Sequence, residues 1–292
     1  MRKNISEKIN ILIMLSPWII TFLLFWLYPL INAGYLSLTN YNTLLNSTEF
    51  IGLDNYKKIL NDEVFWIALK NTTIFTVGTV PITTALAIIL AVMLNSKLTR
   101  FQSIFRATYF MPTITSLVVI SLIFTNLYSK DGYINLLLKI SGLPYPEKGW
   151  LLDTSTSLIS IMIMDVWIST GYYMVLVLAG LQTIPKDYYE SAKLMGTSSL
   201  KQFFSITLPL LKPTLIFILV INTIKSFQVF IEIFIMTKGG PLNSTMTIVY
   251  YIFQNAFEKS DMMGYASALA FILFFVLLIL SYIQIKILKE KD

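Results

Sequence analysis

The stretch TSLISIMIMDVWISTGYYMVLVLAGL, residues 156–181, decides the fold class of this chain. It carries a single charged side chain, Asp165, and no proline. A helix rises 1.5 Å per residue and a bilayer core is about 30 Å thick, so roughly 20 apolar residues make a membrane span. Five more runs of this kind lie at about 11–36, 68–95, 103–128, 212–237 and 264–288, separated by polar segments with Gly and Pro. The third is diluted by Arg106, Pro112 and several Ser and Thr. The expected fold is an all-α integral membrane protein of about six transmembrane helices, with residues 1–292 forming a single transmembrane domain.

Composition points the same way. Of 292 residues, 55% are hydrophobic and 13% charged, against about 25% charged in soluble domains. A net charge of +6 could suit nucleic acid, but no Lys/Arg cluster interleaved with aromatics occurs, so no nucleic-acid partner is expected. The absence of Cys excludes disulfides, thiolate metal sites and cysteine nucleophiles; the absence of His removes the commonest general base and metal ligand. Carboxylate catalysis survives this cut but little else does; no catalytic residue is singled out and no metal site is expected. Arg2, Lys3 and Lys8 precede the first apolar run as in a signal peptide, but that run is too long for one and lacks an A-x-A site, so it reads as a retained span.

Six spans put both termini on one side, and basic residues in loops mark the cytoplasm. Of the 22 Lys and Arg, thirteen fall on the terminus side (Arg2, Lys3, Lys8, Lys97, Arg100, Arg106, Lys186, Lys193, Lys201, Lys212, Lys286, Lys289 and Lys291), eight on the other side and Lys225 within a span. The eight are balanced by nine acidic residues, Asp261 among them. Both termini are therefore expected in the cytoplasm, with Tyr28, Trp66, Tyr128, Trp150 and Tyr282 at interfacial positions. No G-x-x-x-x-G-K-[ST] loop is present to cradle a nucleotide, so energy must come from a gradient or a partner.

The loop over residues 182–211 contains YYESAKLMGTSSLKQFFSITLP. It reads as a short helix from about Lys186 to Met195, a turn at Gly196 that tolerates positive φ, and a second helix from about Ser198 into the fifth span. Asp187 and Glu190 fall early in the first helix, where the dipole favours acids. Such a helix pair suits either a partner's groove or the lipid headgroups. On the opposite side, Gly239, Gly240 and Pro241 follow the fifth span as a helix stop.

Two ionisable groups lie within spans, Asp165 in the fourth and Lys225 in the fifth. Each would cost roughly 2.5–3.5 kcal/mol at the centre of a lipid-facing helix, so both should face the bundle interior near mid-depth, where an ion pair is geometrically possible. Ser169, Asn222 and Gln228 add hydrogen-bonding groups nearby, and Tyr172, Tyr173 and Phe227 offer aromatic surface. These residues serve either as structural glue or as a solute site. Glu232 is expected near the outer end, within reach of water.

The loop resembles the E-A-A-x-x-x-G segment ending in I-x-L-P of the membrane subunits of bacterial ABC importers. Glu190, Ala192, Gly196, Ile206, Leu208 and Pro209 stand at matching positions, while Ser191 replaces the usual Ala and Met195 a frequent Asp. SPWIITFLLFWLYPLINAGYLSLTNYN, FIGLDNYKKIL, RATYFMPTITS, AGLQTIPKDYYESAK, SFQVFIEIFIMTKGGPLNST and MGYASALAFILF extend the resemblance over nearly the whole chain, to the carbohydrate-uptake permeases of the maltose, lactose and glycerol-3-phosphate type. The resemblance implies the ABC importer permease fold of the maltose type, in the bacterial cytoplasmic membrane. It also implies a second homologous permease subunit, an ATP-binding-cassette ATPase dimer that binds ATP and Mg, an extracytoplasmic solute-binding protein, and a sugar or sugar-like solute.

By the same resemblance, Glu190, Ala192, Gly196 and Pro209 belong to the loop that docks on the ATPase. Asp165, Ser169, Asn222, Lys225 and Gln228 become candidates for solute binding, and Gly239, Gly240 and Pro241 for contact with the binding protein. No cofactor is expected in this chain itself. The alternative is a secondary transporter with Asp165 or Glu232 as its ion-coupling site, which would have no need of the 190–209 loop. An intramembrane enzyme using Asp165 lacks a convincing second catalytic group.

Overall fold

The computed structural model describes residues 2–42, 47–95, 102–259 and 262–288. Lys97, Arg100, Asp261, Lys289 and Lys291 of the charge tally lie outside the described residues. The chain is mostly helical and divides into two compact units, residues 1–62 with 252–275 and residues 63–251 with 276–292.

In the first unit, α1 (Arg2–Phe22) continues through a π-helical turn (Leu23–Leu27) into α2 (Tyr28–Ser37). The wide turn comes just before Pro29, which has no N–H to offer the carbonyl of Phe25. A two-stranded antiparallel hairpin follows, β1 (Thr39–Asn42) with β2 (Ser47–Phe50), in the register Thr39↔Phe50. Asn55, on α3 (Asp54–Leu60), donates to Ser37 O and Thr39 O at 2.9 Å each and ties the hairpin to the end of α2. In exposed α3, Lys57 beside Asp54 holds that carboxyl below the usual range.

The second unit opens with α4 (Glu63–Asn95), then α5 (Gln102–Ile114) and α6 (Leu117–Leu127). The third span is not one straight helix: α5 and α6 meet at 93°. Pro112 removes a helical N–H there, and Ser116 leaves the helical basin at ψ 124°. After α7 (Tyr133–Ile140) comes α8 (Ser157–Gln182), which packs against α4, α5 and α11. Small residues allow those approaches: a Cβ on Gly171 would lie 1.9 Å from Tyr109 O of α5, and one on Gly180 would lie 2.7 Å from Thr214 Oγ1 of α11.

The chain then forms α9 (Lys186–Leu194), α10 (Ser199–Gln202), a second π-helical turn (Phe203–Thr207) and α11 (Leu208–Phe227). This turn also precedes a proline by two residues, Pro209. The expected span at 212–237 therefore starts earlier, at Ser199, and is interrupted at 228–230 before α12 (Ile231–Met236). The remaining elements are α13 (Ile248–Phe253), a third π-helical turn (Gln254–Glu258) and α14 (Met263–Leu288). Among the described residues, five helical segments are long and apolar enough to cross a membrane, or six with the bent α5–α6 pair counted as one. A dry cluster of Ala87, Ala91, Met174, Val177, Leu211 and Ile218 joins α4, α8 and α11 at the end from which α9 leaves.

Candidate functional site

The two intramembrane charges meet. Lys225 Nζ lies 3.3 Å from Asp165 Oδ1 and donates to Ser169 Oγ at 2.6 Å, while Ser169 Oγ donates to Asp165 Oδ1 at 3.2 Å. Residues 165 and 169 are one turn apart on α8 and so share a face. Lys225 sits in the last turn of α11, where the helix dipole favours a cation. The pair is asymmetric: Asp165 is buried, and the Lys225 side chain is 47% exposed.

The other candidates fall around this pair unequally. Asn222, one turn before Lys225, is buried, and its Nδ2 has no partner among the described residues. Gln228 is exposed and caps the end of α11 with its backbone, outside the buried cluster. Tyr173 is buried one turn beyond Ser169 with its ring edge-on to exposed Tyr172 at 5.1 Å, and Phe227 is buried. Glu232 corrects the expectation of water access: it is 3% exposed, in the first turn of α12 and within electrostatic range of Asp165 and Lys225. After the interruption at 228–230, α12 packs against α6.

A polar seam between α4 and α11 escaped sequence reasoning. Thr79 Oγ1 and Ser226 Oγ are 3.3 Å apart, and the two helices run antiparallel, since Ala91 and Leu94 cluster with Leu211. One turn further along each helix, Thr83 and Asn222 both present buried polar atoms without partners among the described residues. Threonines in apolar helices are ambiguous in sequence, because a threonine can also satisfy itself on its own backbone, as Thr79 does with Phe75 O at 2.8 Å.

At the end of α8 that adjoins α9, the helix–turn–helix forms as expected. Gly196 N donates to Lys193 O at 2.9 Å and Thr197 N to Ala192 O at 3.1 Å, a Schellman closure with Gly196 at φ +73°. Ala192 is buried beneath α9, Glu190 is exposed, and Tyr188, Leu194, Met195 and Leu200 stand out as exposed apolar side chains. Tyr189 OH and Thr207 Oγ1, 2.9 Å apart, fasten α9 to the π-helical turn before Pro209.

At the other end of α8, the Gly239–Gly240–Pro241 segment is more than a helix stop. Ser244 Oγ lies 2.9 Å from Ser157 Oγ, and Asn71 Nδ2 donates to Asn243 O and Met246 O at 2.9 and 3.0 Å. Thr72 Oγ1 accepts from Ile248 N at 3.0 Å. The Gly240–Pro241 bond is cis, Gly239 is buried, and Leu242 is left 91% exposed at the tip. Among the described residues no group of His, Cys, Asp or Glu is arranged to hold a metal ion.

The chain as a whole has counterparts among known proteins. The family described as "Binding-protein-dependent transport system inner membrane component" matches residues 83–291. The chain belongs to that family. It is a multi-pass protein of the plasma membrane, and its fold is the maltose-type permease fold. It is 36% identical over 285 residues to the lactose transport system permease protein LacF of Rhizobium radiobacter, covering 97% of this chain and 95% of the relative. It is 33% identical to the arabinooligosaccharides transport system permease protein AraP of Halalkalibacterium halodurans, covering 96% and 88%. A bacterial alginate ABC transporter, solved in complex with an alginate pentasaccharide-bound periplasmic protein, superposes with a TM-score of 0.85 at 23% identity, covering 97% of this chain and 95% of that one.

Proposed function

We propose that this permease is one of two membrane subunits of an ATP-binding-cassette importer and that it carries a sugar or sugar-like solute. The observation that supports this most is the full-length similarity to the lactose permease protein. In this reading a second homologous permease completes the pathway and an extracytoplasmic binding protein delivers solute to the Gly239–Pro241 loop. An ATPase dimer, which binds ATP and Mg, grips α9 through Glu190 and the exposed Leu194 and Met195. Both termini and α9 then lie in the cytoplasm. Solute meets the Asp165–Ser169–Lys225 cluster and Asn222, with Gln228 at its edge, and sugar hydroxyls suit these closely spaced donors and acceptors. The secondary-transporter alternative is disfavoured by membership of a binding-protein-dependent family, and Asp165 is already neutralised by Lys225.

The test is uptake and ATPase stimulation in the assembled transporter. Glu190→Ala is expected to lower both while the chain still inserts; full uptake with normal stimulation would remove the docking role. For the solute site, Lys225→Met strands a buried carboxylate and is expected to cost about 3 kcal/mol, the low end for a broken pair because Lys225 is half-exposed. Adding Asp165→Asn should restore assembly but leave transport poor or altered in specificity. Normal uptake by that double variant would take both residues out of the solute site.

A further inference from the structure

We infer that α7 is an interfacial helix whose exposed face lies in the headgroup–acyl boundary of the leaflet opposite α9. Its sequence is YINLLLKI. At 100° per residue, Tyr133, Leu136, Leu137 and Ile140 fall within one arc of about 100°. They are 72, 50, 64 and 74% exposed. On the opposite arc Lys139 is exposed and Asn135 faces the protein. There Asn135 is buried, its Nδ2 donating to Lys130 O at 2.9 Å and its Oδ1 accepting from Trp150 Nε1 at 2.7 Å. The helix therefore turns its one buried polar group inward and a wholly apolar face outward, the reverse of a water-exposed helix.

Its position identifies what covers that face. Only five residues separate α7 from the end of α6. Tyr128 OH donates to Ser160 O at 2.9 Å and Trp150 N donates to Tyr128 O at 3.0 Å, fastening the segment to the first turn of α8. α7 is thus held at the depth where two spans leave the membrane. α6, the span that leads into it, also carries exposed apolar side chains, Val118, Val119, Leu122 and Ile123. Tyr and Trp around α7 are the side chains that favour this boundary. Between residues 128 and 153 three lysines, Lys130, Lys139 and Lys148, balance three acids, Asp131, Glu147 and Asp153. The anchor therefore holds by apolar burial and requires no anionic lipid.

The chain has no cysteine, so single Cys variants of the full-length protein carry a nitroxide at chosen points. Labels at Leu137→Cys, Ile140→Cys and, as a water reference, Lys148→Cys are compared in phosphatidylcholine nanodiscs, with and without the partner subunits and binding protein. At 137 and 140, relaxation by oxygen relative to a water-soluble nickel chelate is expected to exceed the ratio at 148 severalfold, and to persist when the partners are added. A ratio at 137 and 140 equal to that at 148 would mean water covers the face. Loss of access to both reagents on adding a partner would mean a protein does; either result overturns the proposal.

Discussion

Two glycine turns stand at the two ends of α8, and they are built in opposite ways. Gly196 and Gly239 both have left-handed φ, +73° and +79°, and each turn carries a leucine that is 91% exposed, Leu194 and Leu242. The Gly196 turn closes on itself, with bonds from Gly196 N, Thr197 N and Gln202 Nε2 to acceptors no more than five residues away. The Gly239 loop is held by Asn71, Thr72 and Ser157, which are 87 to 176 residues distant from their partners in it. A self-contained turn can be carried as a unit on its helix, as suits a part that follows a moving partner. A loop clamped to α4 and α8 is part of the tertiary core and presents a fixed surface.

Substitutions at these positions test that contrast. The largest effect is expected from Gly239→Ala. Its new methyl would lie 2.8 Å from Met246 Cε and 3.2 Å from Tyr250 Cε1, in a conformation that L-residues avoid. Left-handed strain and overpacking together should cost about 2–4 kcal/mol, seen as a lower unfolding temperature in detergent. Unchanged thermal stability would show the loop to be looser than its packing implies. Next, Asn71→Ala removes the side-chain donor shared by Met246 O and Asn243 O, the latter still accepting from Met246 N, at about 1–3 kcal/mol. Amide exchange should quicken across 241–247 and stay unaltered in α9; a change in both would contradict the independence of the two turns.

Gly196→Ala should cost only about 1 kcal/mol, because an added Cβ meets nothing within 4 Å and the backbone alone is strained. A loss as large as that of Gly239→Ala would sink the comparison. The smallest effect on stability, within about 0.5 kcal/mol, is expected from Leu194→Cys and Leu242→Cys. These two cysteines should react with an impermeant thiol reagent from opposite faces of the membrane, the first only from the cytoplasm. Reaction of both from the same face would refute the orientation.

The legibility of the site follows the same divide. Asp165, Ser169 and Lys225 stood out in the sequence because charge is costly in an apolar helix, and the structure brings all three together. Near the end of an apolar run Glu232 reads as exposed, and the structure buries it. The packing of α12 against α6 accompanies that burial. Gln228 looked equivalent to Asn222, three residues on either side of Lys225, yet the helix ends at Phe227 and leaves Gln228 exposed. Thr83 gave no signal, since a threonine in an apolar helix is ordinary until its neighbours are known.

By itself the sequence determined the membrane class, the approximate spans and the 186–198 helix and turn. Each depends on interactions within one segment: apolar length against bilayer thickness, dipole and capping chemistry, and the freedom of one glycine. The tertiary structure alone decided the burial of Glu232, the exposure of Gln228 and the clamp on the Gly239 loop. Those features depend on which helices approach one another, and that is set by contacts such as Gly171 against the backbone of α5 and Asn71 against two distant carbonyls. Such contacts join residues far apart in the chain, so local pattern does not register them.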